Sequence, residues 1–101
     1  MPEEPKTVCR TPATGRSGTT NIPTRKYDAV RAAVLSAIKV AGVQGLPFKN
    51  LPDEVKARLS GDQLARLGSV GWHTTSVKLN MEVEGEIKRL PKVTPQRLII
   101  G

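Results

Sequence analysis

Apolar positions in the first half of the chain recur at helical spacing. In the run after Thr24, Tyr27, Val30, Val34, Ile38 and Ala41 fall on one stripe with alanine-rich filler between them, which predicts an amphipathic helix. Thr24 is placed to cap it through its hydroxyl, and Gly42 to end it in a left-handed conformation. Gly45-Leu46-Pro47-Phe48 is too short for a helix and contains proline, so a brief strand or extended link is expected. Leu51, Val55 and Leu59 then recur every four residues behind Pro52, with Asp53 and Glu54 near the helix start. Proline is tolerated in a first turn and acids are favoured there, so this is a short second helix. Ser60 and Gln63 form a capping-box pattern, predicting a further helical turn through Leu64 and Leu67 before a loop over 68–71.

The segment 72–84 carries two periods at once. Val77, Leu79, Met81 and Val83 alternate with Lys78, Asn80, Glu82 and Glu84, as in a strand. At about 100° per residue the same segment is a helix with Val77 and Met81 on one side and Trp72, Leu79 and Val83 nearly opposite. A glycine stop at Gly85 after such a run suits a helix, and the hairpin that follows supports it. Residues 86–90 and 96–100 flank a turn-rich link containing Pro91 and Pro95, both kept out of the ladder. The expected fold is therefore mainly α with a small C-terminal β-hairpin, in the order helix, short strand, helix, helix, hairpin. That order is the winged-helix arrangement, with the hairpin as the wing. Residues 24–101 form the domain, and residues 1–23, rich in Pro, Thr, Gly and Ser, form a flexible or loosely draped N-terminal segment. Within that segment, 19–22 has the character of an edge strand.

Length and composition narrow the class. A chain of 101 residues with 38% apolar and 3% aromatic residues makes one domain whose small core is built from aliphatics. No apolar run is long enough for a membrane span, and the first residues lack the apolar stretch of a secretory signal. A single cysteine, Cys9, has no internal disulfide partner; this fits a cytoplasmic location, with the thiol solvated in the N-terminal segment. Sixteen Lys and Arg against nine Asp and Glu give a net charge of +7, which favours a polyanionic partner. Basic residues gather at the C-terminal end, in Lys88, Arg89, Lys92 and Arg97, while Glu82, Glu84 and Glu86 crowd just before them as a solvated acidic surface.

The run GSVGWHTTSVKLNMEVEGEIKR and the closing PQRL resemble a small bacterial family of uncharacterised winged-helix proteins. The similarity covers the chain from about Lys26 onward. It implies that the segment at 72–84 is the third principal helix and that the hairpin is the wing. Two departures stand out: residues 60–71 make the link to that helix longer than in a tight helix-turn-helix, and its C-terminal half is acidic.

Chemistry for catalysis is sparse. The lone His73 and lone Cys9 lie far apart in sequence, and neither a phosphate-binding glycine loop nor metal-ligand spacing occurs. No enzymatic activity, cofactor, metal site or small-molecule ligand is expected. For nucleic acid, specifically DNA, the candidates are Thr74, Thr75 and Lys78 on the third principal helix, with Arg89, Lys92 and Arg97 on the wing to follow the phosphates. A transcriptional regulator would use such a face. An arginine on that helix, the commonest reader of guanine, is missing. The alternative is a protein-interaction or structural module that binds no DNA. Trp72 is expected to pack in the core or an interface. The strip of Trp72, Leu79 and Val83 needs a cover, from the first helix or wing, from residues 19–22, or by self-association with a second copy of the chain.

Overall fold

The computed structural model describes residues 5–10, 19–93 and 95–101. Among them are four α-helices, an N-terminal hairpin and a three-stranded antiparallel sheet, so the fold is mixed and mainly helical. The elements are β1 (Lys6–Arg10), β2 (Thr19–Pro23), α1 (Thr24–Ala41), β3 (Leu46–Pro47), α2 (Leu51–Arg58), α3 (Gly61–Leu67), α4 (Val70–Val83), β4 (Ile87–Arg89) and β5 (Arg97–Ile100). One sheet is β1-β2 and the other has the order β3-β5-β4. Among the described residues, no helix is long and apolar enough to cross a membrane.

α1 is the central element and packs against α2, α4 and β5. Tyr27, Val30, Val34 and Ile38 are buried as their spacing predicts. They join Leu51 and Val55 of α2, Val77 and Met81 of α4, and Leu46, Ile87 and Leu98 of the sheet in one core. The Ser60 hydroxyl accepts from the Gln63 N–H at 3.1 Å while Gln63 Oε1 accepts from the Ser60 N–H at 2.9 Å, completing the capping box that starts α3. α4 begins two residues before the sequence expectation because Ser69 Oγ accepts from the Trp72 N–H at 3.1 Å. It ends in a Schellman motif. Gly85, at φ 78°, lets its own N–H reach Glu82 O at 3.1 Å and the Glu86 N–H reach Met81 O at 3.0 Å. The chain then runs directly into β4.

Gly45 answers a different demand. Its φ is 81°, and a Cβ placed there would lie 3.0 Å from both Arg97 Cβ and Leu90 Cδ1. The close approach lets Leu46 pair with Leu98, while Arg89 pairs with Leu98 from the other side.

The N-terminal segment departs from expectation. β2 extends the edge strand anticipated at 19–22, and β1 forms where the composition suggested a loosely draped chain. The pair runs in register from Lys6↔Pro23 to Arg10↔Thr19. It sends Cys9, 4% exposed, and Ile22, 1% exposed, into the core. Cys9 is therefore a buried thiol, and burial pushes its pKa up. Thr24 does not cap α1, whose N-cap position is held by Pro23. Its hydroxyl lies 2.9 Å from that of Thr7, and its N–H donates to Pro5 O at 2.8 Å. The Thr24 hydroxyl and N–H are thus engaged by Thr7 and Pro5 at the start of the N-terminal hairpin. Expectations for residues 1–4 and 11–18 lie outside the described residues.

Asn80 fastens this hairpin to the helices. Its side-chain amide donates to Tyr27 Oη at 2.9 Å, and its Oδ1 accepts from the Arg10 N–H at 2.9 Å. Substitution Asn80→Ala leaves a buried hydroxyl and a backbone donor without partners, at a cost of about 2 kcal/mol. Urea unfolding is expected to show that loss, and amide exchange at Arg10 to accelerate more than exchange in the middle of α1. Unchanged exchange at Arg10 would mean that packing alone holds β1.

Candidate nucleic-acid interface

The six residues assigned to a nucleic-acid face from sequence do not form one surface. α4 turns Thr74 and Lys78 inward, where they are 0% and 2% exposed. Thr75 is half-buried, and only Arg89 and Lys92 are exposed among the remaining candidates. The polar start of α4 is thus a smaller solvent face than its sequence suggests. The reason is geometric: α4 packs against α1, α2 and β1, and the Phe48 ring lies against the Lys78 ammonium.

Lys78 is held by two groups. Its Nζ lies 3.2 Å from Glu82 Oε2, one helical turn on, and 4.5 Å from the centroid of the Phe48 ring. Arg89 Nε donates to the other carboxylate oxygen, Glu82 Oε1, at 2.7 Å. The result is a Lys78–Glu82–Arg89 triad in which the carboxylate is itself nearly buried, at 8%. Burial pushes the Lys78 ammonium below its ordinary pKa, Glu82 draws it back up, and Arg89 pushes it down. Lysine rather than an aliphatic is tolerated because the stem packs as hydrocarbon and the head meets a carboxylate and an aromatic face. Thr74 Oγ1 has no such partner and is a buried, unpaired hydroxyl; the Gln96 amide oxygen is likewise buried without a hydrogen-bond partner.

The acids expected to form a solvated surface all make ion pairs. Glu84 meets Arg10 of β1, Glu86 takes Arg31 of α1 in a bidentate pair, and Glu82 takes Arg89 of β4. Each carboxylate near the end of α4 therefore tethers a different element, two of them far away in sequence. Arg97 is likewise structural in part, with Nη1 donating to Gly45 O at 3.0 Å and Gln44 O at 3.5 Å.

A basic end of the sheet remains. Pairing of Pro47 with Arg97, and donation from the Phe48 N–H to Gln96 O at 3.0 Å, set the turn at Phe48–Asn50 beside the start of β5. Leu90 N–H donates to Arg97 O at 2.9 Å on the other flank. Lys49, Arg89, Lys92 and Arg97 consequently gather at one end of β3-β5-β4. Lys92 sits there at φ 60°, a left-handed conformation that lysine adopts only in a tight turn. Lys49 was missed from sequence because only the long-range pairing of β3 with β5 brings it to the hairpin. The Lys78–Glu82 pair was readable from its i,i+4 spacing. Trp72, expected in a packed position, is 48% exposed, with its ring meeting that of His73 edge-on at 4.8 Å. His73 Nδ1 lies 2.7 Å from Ser69 O, at the start of α4.

These features define a small, mainly helical α/β domain with a basic sheet end. The chain belongs to a family of unknown function, DUF6958, whose match spans residues 6–98. That span includes β1, in keeping with its place in the core. No curated protein and no solved structure matches the chain.

The triad generates a test. Glu82→Gln leaves the buried Lys78 charge without its carboxylate, at an expected cost of about 3 kcal/mol at neutral pH. The folded-state pKa of Lys78 is depressed, so the unfolded state binds the extra proton and stability rises with pH through that range. Glu82→Gln lowers it further, so the deficit should narrow between pH 7 and pH values approaching the lysine's ordinary pKa. Urea titrations at both ends of that window check this, and a deficit constant with pH would show that Lys78 is not the group left stranded.

Proposed function

We propose that the chain is a winged-helix domain that binds the phosphate backbone of nucleic acid, duplex DNA in the first instance, through the basic end of its sheet and with little reading of bases. The element order of α1, β3, α2 with α3, α4 and the β4–β5 hairpin supports the winged-helix reading, with the hairpin as wing. The observation that carries the functional reading is the gathering of Lys49, Arg89, Lys92 and Arg97 at one end of β3-β5-β4, while Thr74 and Lys78 are buried. Exposed lysines act as point charges for phosphate, whereas base discrimination relies on forked donors aimed at base edges. On α4 the residues open to solvent include no arginine. Positioning without specification is the chemistry such a surface offers.

A protein-interaction module is the second reading, favoured by the half-exposed Trp72 on α4. Large aromatics at a surface are common anchors of protein contacts.

Fluorescence anisotropy with random-sequence duplex separates the two. With about three to four phosphates engaged, affinity should fall several tens-fold to about a hundredfold between 50 and 200 mM salt, as counterions are released. The double variant Lys49→Glu, Lys92→Glu should weaken binding to unrelated sequences alike, with thermal stability unchanged because both side chains are exposed. An absence of binding at the lower salt, or a double variant that binds as well as the wild type, would remove the nucleic-acid reading.

A further inference from the structure

Arg89 differs from the other arginines in how it is held. Arg31 engages Glu86 through both Nε and a terminal nitrogen, and Arg97 donates to two carbonyls through Nη1. Arg89 donates to Glu82 Oε1 through Nε, at 2.7 Å, and its guanidinium makes no other bond among the described residues. A guanidinium carries N–H donors on three nitrogens, so both terminal nitrogens of Arg89 are without a protein partner there. The side chain is half-exposed, which leaves them open to solvent.

The carboxylate that holds Arg89 is itself fixed. Glu82 is nearly buried, and its second oxygen lies 3.2 Å from the ammonium of the buried Lys78. A free surface arginine must give up rotamer freedom to engage a ligand, and one already tied at Nε gives up less. Two cations against one carboxylate leave the triad net positive toward an incoming anion. Among the described residues no second carboxylate pairs with Arg89.

We propose that Arg89 is a preset phosphate fork, whose two terminal nitrogens take two oxygens of one phosphate while Glu82, as a positioning residue, holds the guanidinium through Nε. Paired donors of this kind fix orientation as well as adding attraction. Lys49 and Lys92 are exposed and supply charge without direction. Arg89 therefore sets the register of the sheet end on the phosphates. The source of the phosphate, a nucleic-acid backbone, rests on the reading proposed above; the fork rests on the triad.

Two experiments on the full chain test the fork, and the second needs no nucleic acid. Arg89→Lys keeps the charge and a cation for Glu82 but removes the fork. It should weaken binding to random-sequence duplex about tenfold, the worth of a charge-assisted hydrogen bond, with thermal unfolding by circular dichroism unchanged. The slope of affinity against salt should stay the same, because the number of neutralised phosphates does not change. Lys92→Gln should instead lower that slope by about one. Arginine side-chain NMR then reads the two ends of the guanidinium separately. In the free protein the Arg89 Nε–H should exchange slowly with water, and inorganic pyrophosphate should shift the terminal-nitrogen signals of Arg89 while that bond persists. Arg31, closed by Glu86, should not respond.

The proposal is overturned by an Arg89→Lys chain that binds duplex as the wild type does, by fast exchange at the Arg89 Nε–H, or by indifference of Arg89 to pyrophosphate. Duplex binding by the wild type alongside any of these leaves the broader nucleic-acid reading standing. A response of Arg89 to pyrophosphate without duplex binding upholds the fork and removes that reading instead.

Discussion

A lysine buried on the central side of α4 constrains much of the rest of the structure. An ammonium taken out of water costs several kcal/mol unless it is paired, so Lys78 requires Glu82 one turn on and an aromatic face at Phe48. Glu82 in turn takes Arg89, which binds the β4–β5 hairpin to α4. The position of Phe48 is set by β3, whose pairing with β5 requires the glycine at Gly45. Helix, turn and sheet are thus joined by one charge, and the hairpin's place relative to α4 follows from satisfying it.

The same economy applies to most of the arginines. Arg10, Arg31, Arg58, Arg66 and Arg89 each meet a carboxylate, and Arg97 meets backbone carbonyls. The arginine forks, which could read base edges, serve the fold. The exposed positive charge is carried to a large extent by lysines such as Lys49, Lys88 and Lys92. A net charge of +7 therefore signals attraction to polyanions more than sequence recognition. Formal charge counted along a chain cannot reveal this division, since it depends on which acids fold back onto which bases.

Local signals in the sequence proved sufficient for the helices. The stripe of Tyr27, Val30, Val34 and Ile38, the Ser60–Gln63 box and the stop at Gly85 each act over a few residues, and each predicts an element that the structure contains. Choosing helix for the segment that ends at Val83, against its strand-like alternation, rested on that glycine and the hairpin after it. What could not be read locally was set by contacts across the chain. β1 gains its place from Asn80, 70 residues away, and Lys49 joins Arg97 only through strand pairing. Thr74 and Lys78 read as surface because they are polar, yet the elements packed around α4 bury both. Trp72 read as buried because it is large and apolar, but it stands half-exposed in the first turn of α4.

The central claim is that exposed lysines at the sheet end meet nucleic acid while Lys78 serves only the interior. Lysine acylation followed by mass spectrometry, with and without duplex DNA, tests it at each residue in one experiment. Lys78 should resist modification in both states, whereas Lys49 and Lys92 should react in the free protein and be protected by duplex. Rapid modification of Lys78 in the free protein, or no protection of Lys49 and Lys92 by duplex, would contradict the account.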